Sequence, residues 1–137
     1  MGTNAESLGE TMKKMCVLIV DDSSVMRKIV QRSLRLAGLD IETVLEADNG
    51  EEALSVVRQN SIDMIFSDIN MPKMDGLEFV RQLQGLEAAK GIPVVMITTE
   101  GSQSRVVEAL SLGARGYIRK PFTPDQVKER IAPLLEA

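Results

Sequence analysis

Five short runs of apolar residues recur along the chain, and a segment with helical periodicity follows each of them. The runs are rich in β-branched residues and nearly continuous, which is typical of strands buried on both faces of a parallel sheet. They cover 16–20, 43–47, 62–67, 93–98 and 116–119. This alternation predicts an α/β fold with helices on both faces of the sheet and right-handed crossovers.

Helix starts and helix faces follow from local signals. Three pairs with capping-box spacing precede apolar periodic segments; they are Asn49 with Glu52, Asp75 with Glu78, and Thr123 with Gln126. The first helix is predicted at 24–37 from the spacing of Val25, Ile29 and Leu34. Another is predicted at 102–112, where Val106, Val107, Leu110 and Leu112 are the apolar residues. Pro133 removes a backbone donor, so we expect it to kink or shorten the last helix.

Composition excludes several kinds of chemistry. The chain has no His and a single Cys, which rules out a Ser-His-Asp triad, His-ligated zinc and an internal disulfide. The net charge of −4 disfavours nucleic acid as the main partner. No apolar run approaches the ~20 residues of a membrane span, so we expect a cytoplasmic protein that does not insert into a membrane.

Polar side chains stand where the predicted strands end. Asp21 and Asp22 follow the first strand, Asp68 follows the third, Thr98 ends the fourth and Lys120 follows the fifth. Ligands of open α/β sheets bind outside the carboxyl ends of the strands. Two unit charges 4 Å apart cost about 4 kcal/mol at an effective dielectric of 20, so clustered carboxylates need a cation. Mg²⁺ prefers such oxygen ligands and is the predicted cofactor.

A carboxylate site without His or Cys indicates phosphoryl chemistry. The chain contains no Gly-x-x-x-x-Gly-Lys-Ser/Thr segment, which removes the P-loop route to nucleotides. A carboxylate can instead act as the nucleophile and form an acyl phosphate. Lys, Thr and Mg²⁺ would then stabilise the oxygens of the phosphoryl group.

The motifs at the strand ends resemble those of the receiver domain of two-component response regulators. They are Asp21-Asp22, the segment 68–76 (DINMPKMDG), the segment 97–100 (ITTE) and the segment 116–122 (GYIRKPF). The resemblance covers about residues 15–136 and is closest to single-domain, CheY-like chemotaxis regulators. It implies a flavodoxin-like (βα)5 doubly wound fold with strand order 2-1-3-4-5. We expect a flexible leader at 1–14 and one receiver domain at 15–137, without an attached output domain.

The resemblance also implies roles at the acidic site. Asp68 would accept phosphate from the phosphohistidine of a partner kinase. Asp22, Asp68 and the backbone carbonyl of Asn70 would bind Mg²⁺ directly, and Asp21 would help through water. The resemblance also implies that the peptide bond between Lys120 and Pro121 is cis.

Further roles concern the response to phosphorylation. Thr98 and Lys120 would contact the phosphoryl oxygens, and Tyr117 would be the rotameric switch that moves inward with Thr98. Asn70 and Glu100 occupy positions that in the family tune hydrolysis of the aspartyl phosphate.

These expectations describe a signalling protein that assists its own phosphorylation and dephosphorylation rather than an enzyme. The expected partners are a histidine kinase, a downstream effector or motor protein, and a phosphatase; the chain itself is expected to be a monomer. Three alternatives stay open. They are a single-domain phosphorelay carrier, a Mg²⁺-dependent acyl-phosphate hydrolase, and a scaffold that keeps the fold and uses no phosphate.

Overall fold

Five parallel strands form one sheet in the order β2-β1-β3-β4-β5. The computed structural model describes residues 14–99 and 102–135. The strands are β1 (Met15–Val20), β2 (Ile41–Ala47), β3 (Met64–Ser67), β4 (Val94–Thr98) and β5 (Gly116–Arg119). The predicted fold class and strand order are confirmed.

A helix follows every strand. The helices are α1 (Ser24–Leu36), α2 (Gly50–Gln59), α3 (Gly76–Gln84), α4 (Gln103–Leu112) and α5 (Pro124–Leu135), with a 3₁₀ turn at Glu87–Ala89. The three predicted capping pairs are present as N-terminal hydrogen bonds, for example from the backbone N–H of Glu78 to Asp75 Oδ1 at 2.9 Å. Within the described residues, no helix has both the length and the apolarity to cross a bilayer.

Alternate residues of each central strand enter two separate cores. Leu18 and Ile65 face the core under α2, α3 and α4, whereas Val17, Ile19 and Phe66 face the core under α1 and α5. All five side chains are at most 1% exposed. Burial on both faces explains why the strand sequences are continuous apolar runs.

The inward face of α1 agrees with its prediction at Leu34 but not at Val25 and Ile29. Val25 and Ile29 are 68% and 47% exposed, whereas Val30 and Leu34 are buried. The helix is rotated by about one residue from the expected orientation, so Met26 packs against the core beside Val30 and Leu34. A residue shift of this size turns a side chain by about 100° around a helix.

The apolar residues of α4 are also less buried than expected. Val107 and Leu110 are 53% and 46% exposed, and Ala109 is the buried residue among the ten described residues of the helix. Leu112 is partly buried and packs against the core, whereas Val107 and Leu110 are exposed.

Most segment boundaries lie within one residue of the predictions, and the larger differences are at β2, β3 and the last helix. β2 begins at Ile41 rather than at 43, because the exposed Glu42 belongs to an edge strand. β3 begins at Met64 rather than at 62, although Ile62 is buried. The last helix continues through Pro133 to Leu135, so it is not shortened at the proline. The predicted leader at 1–14 lies, apart from Lys14, outside the described residues.

Candidate functional site

Three carboxylates meet at the carboxyl edge of the sheet. β1 and β3 are neighbours, so the residues that follow them, Asp21 and Asp68, lie side by side. Asp21, Asp22 and Asp68 each offer a carboxylate oxygen, and these oxygens lie within 4.8 Å of one another. Asp21 is buried, Asp68 is partly buried and Asp22 is exposed. The cluster is therefore closed on the sheet side and open to solvent at Asp22.

Lys120 places a positive charge against two of these carboxylates. Its ammonium Nζ donates to Asp21 Oδ2 at 2.7 Å and to Asp68 Oδ2 at 3.3 Å. The side chains of Lys120, Asp21 and Asp68 are 8%, 5% and 12% exposed. Ion pairs at this depth interact more strongly than surface pairs, and removing one partner leaves an uncompensated charge. Lys120 offsets one negative charge of the three.

The backbone around Asp68 orients its carboxylate. Oδ1 of Asp68 accepts from the N–H of Ile69 at 2.7 Å and from that of Asn70 at 3.4 Å. The loop formed by residues 68–76 is closed by a hydrogen bond of 2.7 Å from the Gly76 N–H to the Ile69 carbonyl. A Cβ at Gly76 would collide with the carbonyl oxygen of Asp68, so this close approach requires glycine.

A buried hydroxyl and a half-buried tyrosine lie on the neighbouring strands. Thr98 ends β4 and is 0% exposed, and its carbonyl accepts from the N–H of Lys120 at 2.9 Å. Tyr117 pairs with Met96 in the β4–β5 register and packs against the core under α4. The peptide bond between Lys120 and Pro121 is cis.

The structure thus brings together most of the residues singled out in the sequence. Asp21, Asp22, Asp68, Thr98 and Lys120 all lie at the same edge of the sheet. Asn70 is exposed beside them, in the segment that follows Asp68, and Tyr117 belongs to β5. Glu100, expected to tune hydrolysis, lies outside the described residues.

The oxygen donors of this cluster fit Mg²⁺. Mg²⁺ is a hard cation that is commonly held by one or two carboxylates together with phosphate oxygens and water. Asp21, Asp22 and Asp68 supply carboxylate oxygens, and the exposed position of Asp22 leaves room for water on one side. The single charge of Lys120 does not balance three carboxylates, so a divalent cation would complete the neutralisation.

Three charged residues near the cluster were given no role in the sequence analysis. Arg27 of α1 donates through Nε to Glu46 Oε1 at 2.7 Å and through Nη1 to the backbone carbonyl of Asp21. Lys28 Nζ donates to Glu46 Oε2 at 3.0 Å. These hydrogen bonds, that of Arg27 first, hold the pKa of Glu46 below its usual value. The sequence signal for this pairing was a Glu inside an apolar strand segment, which needs a nearby cation.

Comparison with known proteins agrees with this arrangement. The family model described as "Response regulator receiver domain" matches residues 17–132. The chain is 43% identical over 122 residues to chemotaxis protein CheY1 of Helicobacter pylori, covering 88% of this chain and 97% of that protein.

Two solved structures extend the comparison. The chemotaxis response regulator CheY4 of Vibrio cholerae superposes with a TM-score of 0.76 at 36% identity, covering 90% of this chain and 99% of that one. A CheX–CheY–BeF3–Mg²⁺ complex from Borrelia burgdorferi matches with a TM-score of 0.79 at 30% identity, covering 88% of both chains. With the motifs, the strand order and these matches in agreement, the chain belongs to the response regulator receiver domain family, among relatives of the CheY type.

Proposed function

We propose that this chain is a phosphoacceptor switch of a two-component system, most closely of the chemotaxis type. Asp68 takes a phosphoryl group from the phosphohistidine of a histidine kinase, with Mg²⁺ at the acidic cluster, and the phosphorylated form has a changed affinity for a partner protein. The observation that carries the proposal is the buried contact of Lys120 with both Asp21 and Asp68, beside a third carboxylate.

The transfer step uses the carboxylate of Asp68 as the nucleophile. One of its oxygens forms a bond to phosphorus while the N–P bond of the phosphohistidine breaks, and the departing imidazole nitrogen keeps the electron pair of that bond. The N–H of Ile69 and the ammonium of Lys120 orient the carboxylate before the reaction. Lys120 also provides N–H donors for the phosphoryl oxygens, since its ammonium has three.

Mg²⁺ would be held by Asp21, Asp22 and Asp68, with the backbone carbonyl of Asn70 as a further ligand. Asp21 would take part through water, as the family resemblance implies; its Oδ1 accepts from the Ser23 N–H at 2.9 Å and its Oδ2 from Lys120. When bound, the cation supplies positive charge that offsets both the carboxylates and the phosphoryl oxygens.

The switch uses Thr98 and Tyr117. Phosphorylation replaces the single charge of the Asp68 carboxylate with a phosphoryl group that carries up to about two negative charges, and we propose that the hydroxyl of Thr98 follows this group while Tyr117 fills the space it leaves. Moving a two-state equilibrium from 1:99 to 99:1 requires about 5.5 kcal/mol. Hydrogen bonds to charged groups contribute about 1.5–3 kcal/mol each, so bonds from Thr98 and Lys120 supply much of this amount. Asn70 and Glu100 then tune how long the phosphoryl group stays.

The surface formed by α4, β5 and α5 is the proposed site of output. It exposes Val107 and Leu110, and a cleft of about 460 Å³ beside Tyr117 is bordered by Arg119 and Arg130. The CheY of Borrelia burgdorferi was solved with CheX and Mg²⁺, which supports a protein partner and this cation for the present chain as well. The chemotaxis names of the relatives support an output to a motor or effector protein.

Intact mass after incubation with acetyl phosphate tests the proposal. We expect the chain to gain the mass of one phosphoryl group with Mg²⁺ present, and to gain none without Mg²⁺ or in Asp68→Asn. Asp75→Asn is the matched control, since it makes the same change in the same segment and Asn caps α3 as well as Asp does. The control should be phosphorylated like the wild type.

The alternatives give different results. A scaffold would show neither an adduct nor phosphate release, and would bind its partner equally well as Asp68→Asn. A hydrolase would release phosphate from many phosphoesters without accumulating an adduct. A phosphorelay carrier would form the adduct and pass it to a histidine protein, with no change in effector binding.

A further inference from the structure

We infer that Arg27 is a positioning residue for the cation site, and that it acts through the backbone of Asp21. This inference rests on the proposed function, because it concerns the Mg²⁺ that Asp21, Asp22 and Asp68 would hold. Arg27 donates to the carbonyl of Asp21 and, on its other side, to Glu46. Among the described residues, these acceptors are a backbone carbonyl and a carboxylate outside the cluster, so the influence of Arg27 on the cation is indirect.

The carbonyl that Arg27 holds belongs to the peptide unit between the two acidic residues. The orientation of that unit determines the direction in which Asp22 leaves the end of β1. The Asp21 N–H donates to the carbonyl of Ala47 at 3.1 Å, so the strand itself fixes the unit before Asp21. Arg27 fixes the next one, beyond the last pair of the β1–β2 ladder, where Val20 faces Ala47.

Glu46 fixes the position of the Arg27 guanidinium beside the Asp21 carbonyl. Its carboxylate is bonded to Nε of Arg27 at 2.7 Å, and the Arg27 side chain is only 16% exposed. Glu46 lies on β2, whereas Arg27 lies on α1, so the ion pair ties the helix to the edge strand across the end of β1. A planar guanidinium can serve a carboxylate and a carbonyl at once, which a lysine ammonium does less well.

Electrostatics alone would give Arg27 the opposite effect. A fixed positive charge near a divalent cation weakens its binding, so a variant that merely lost that charge would bind Mg²⁺ more tightly. Lys28 offers a matched comparison, because it neighbours Arg27 and also donates to Glu46, at 3.0 Å, yet is 68% exposed. Its acceptor is the Glu46 carboxylate rather than the Asp21 carbonyl. A positioning role for Arg27 therefore predicts weaker Mg²⁺ binding in Arg27→Ala, whereas the loss of its charge alone predicts tighter binding.

Isothermal titration with Mg²⁺ in the absence of any phosphodonor is the test. We expect Arg27→Ala to weaken Mg²⁺ binding about ten-fold, the lower end of the usual effect of removing a group that orients a metal ligand. Lys28→Ala should bind Mg²⁺ as tightly as the wild type or slightly more tightly. With acetyl phosphate, Arg27→Ala should need more Mg²⁺ for half-maximal phosphorylation and keep its rate at saturating Mg²⁺.

Two additional variants separate the positioning role of Arg27 from a loss of charge or of folding. Arg27→Lys keeps the charge and should weaken Mg²⁺ binding nearly as much as Arg27→Ala, and it decides the matter if Arg27→Ala does not fold. Glu46→Gln should weaken binding by less, because the bond to the Asp21 carbonyl survives. Wild-type affinity in Arg27→Ala or Arg27→Lys, or tighter binding in Arg27→Ala, would overturn the positioning role. Absence of Mg²⁺ binding by the wild type would overturn the proposed cation site and this inference together.

Discussion

Helices α3 and α4 pack against the same core on one face of the sheet, but α3 buries many more of its side chains than α4 does. α3 follows the Asp68 segment, buries Leu77, Phe79, Val80 and Leu83 among its side chains, and is capped by Asp75. α4 follows Thr98, and Ala109 is its buried residue. The side chain of Ser102 makes no capping hydrogen bond at the start of α4 and instead contacts that of Ser104 at 2.9 Å.

The difference between the two helices shows how the site can keep Asp68 in a fixed orientation while the helix after Thr98 is able to move. The helix that follows the segment of the proposed phosphoacceptor is anchored in the core, which supports a fixed orientation of Asp68. The element that follows Thr98 buries little apolar area, and segments with few buried contacts open or move at low free-energy cost. We therefore expect α4, rather than α3, to move when the site is phosphorylated.

The largest effect is expected from truncating one leucine in each helix. Leu83→Ala should lower the free energy of unfolding by about 3 kcal/mol, as is usual for a buried leucine, since its side chain is 4% exposed. Leu110→Ala should lower it by less than about 0.5 kcal/mol, since that side chain is 46% exposed. Urea unfolding followed by circular dichroism measures both. Equal losses would show that α4 is anchored as firmly as α3.

A smaller effect is expected from the two N-caps. Asp75→Ala should cost about 1 kcal/mol by removing the acceptor of the Glu78 N–H, whereas Asp75→Asn should cost little. Ser102→Ala should cost only about 0.3 kcal/mol, the scale of an exposed contact. Thermal unfolding of the three variants checks the order. A loss in Ser102→Ala as large as that in Asp75→Ala would contradict the contrast between the helices.

Another small effect is expected from Glu46, which belongs to neither helix. Glu46→Gln should lower global stability by about 0.5 kcal/mol at pH 7, as expected for a partly exposed ion pair. Because we expect α3 to open only with the whole molecule and α4 to open locally, amide hydrogen exchange should then quicken in α3 and stay unchanged in α4. Quickening of both helices to the same extent would show that α4 has no local opening.

The stability difference between the wild type and Glu46→Gln should depend on pH, with a sign that follows from the pKa of Glu46. Arg27 and Lys28 hold the pKa of Glu46 below its ordinary value of 4.5 in the folded chain. The carboxylate therefore stabilises the fold fully above that value, and this contribution is lost as the pH falls through the lowered pKa. The stability difference between wild type and Glu46→Gln should vanish over that acidic range. A difference that persisted below it would point to packing rather than charge.

The fold and the acidic cluster could both be predicted from the sequence. The fold follows from the apolar runs, and the cluster follows from the polar residues that stand where those runs end. Buried parallel strands are continuous apolar runs, and the residues that follow them must meet at one edge, so Asp21, Asp68 and Lys120 could be placed together without coordinates. The assigned roles of these residues, and of Asn70 and Tyr117, remain predictions until phosphorylation is measured.

Contacts that depend on helix rotation could not be predicted in the same way. Val25 and Val30 are both apolar and both lie in α1, and the packing of the complete core selects Val30 for burial. The pairing of Arg27 with Glu46 depends on that same rotation. Pro133 was expected to kink or shorten its helix, but the helix continues to Leu135 because the proline lies two residues from its end, where the lost donor affects only the final turn.

The strand order has a consequence for how the site forms as the chain folds. Lys120 lies 99 residues from Asp21 and 52 from Asp68 along the chain, whereas the two carboxylates come from adjacent, earlier strands. Contacts between distant residues form late, because long loops must close first. A partly folded intermediate with β1 and β3 paired but β5 undocked would hold its carboxylates without their lysine. In such an intermediate, a divalent cation would be the main counter-charge, so added Mg²⁺ should stabilise the intermediate and raise its population.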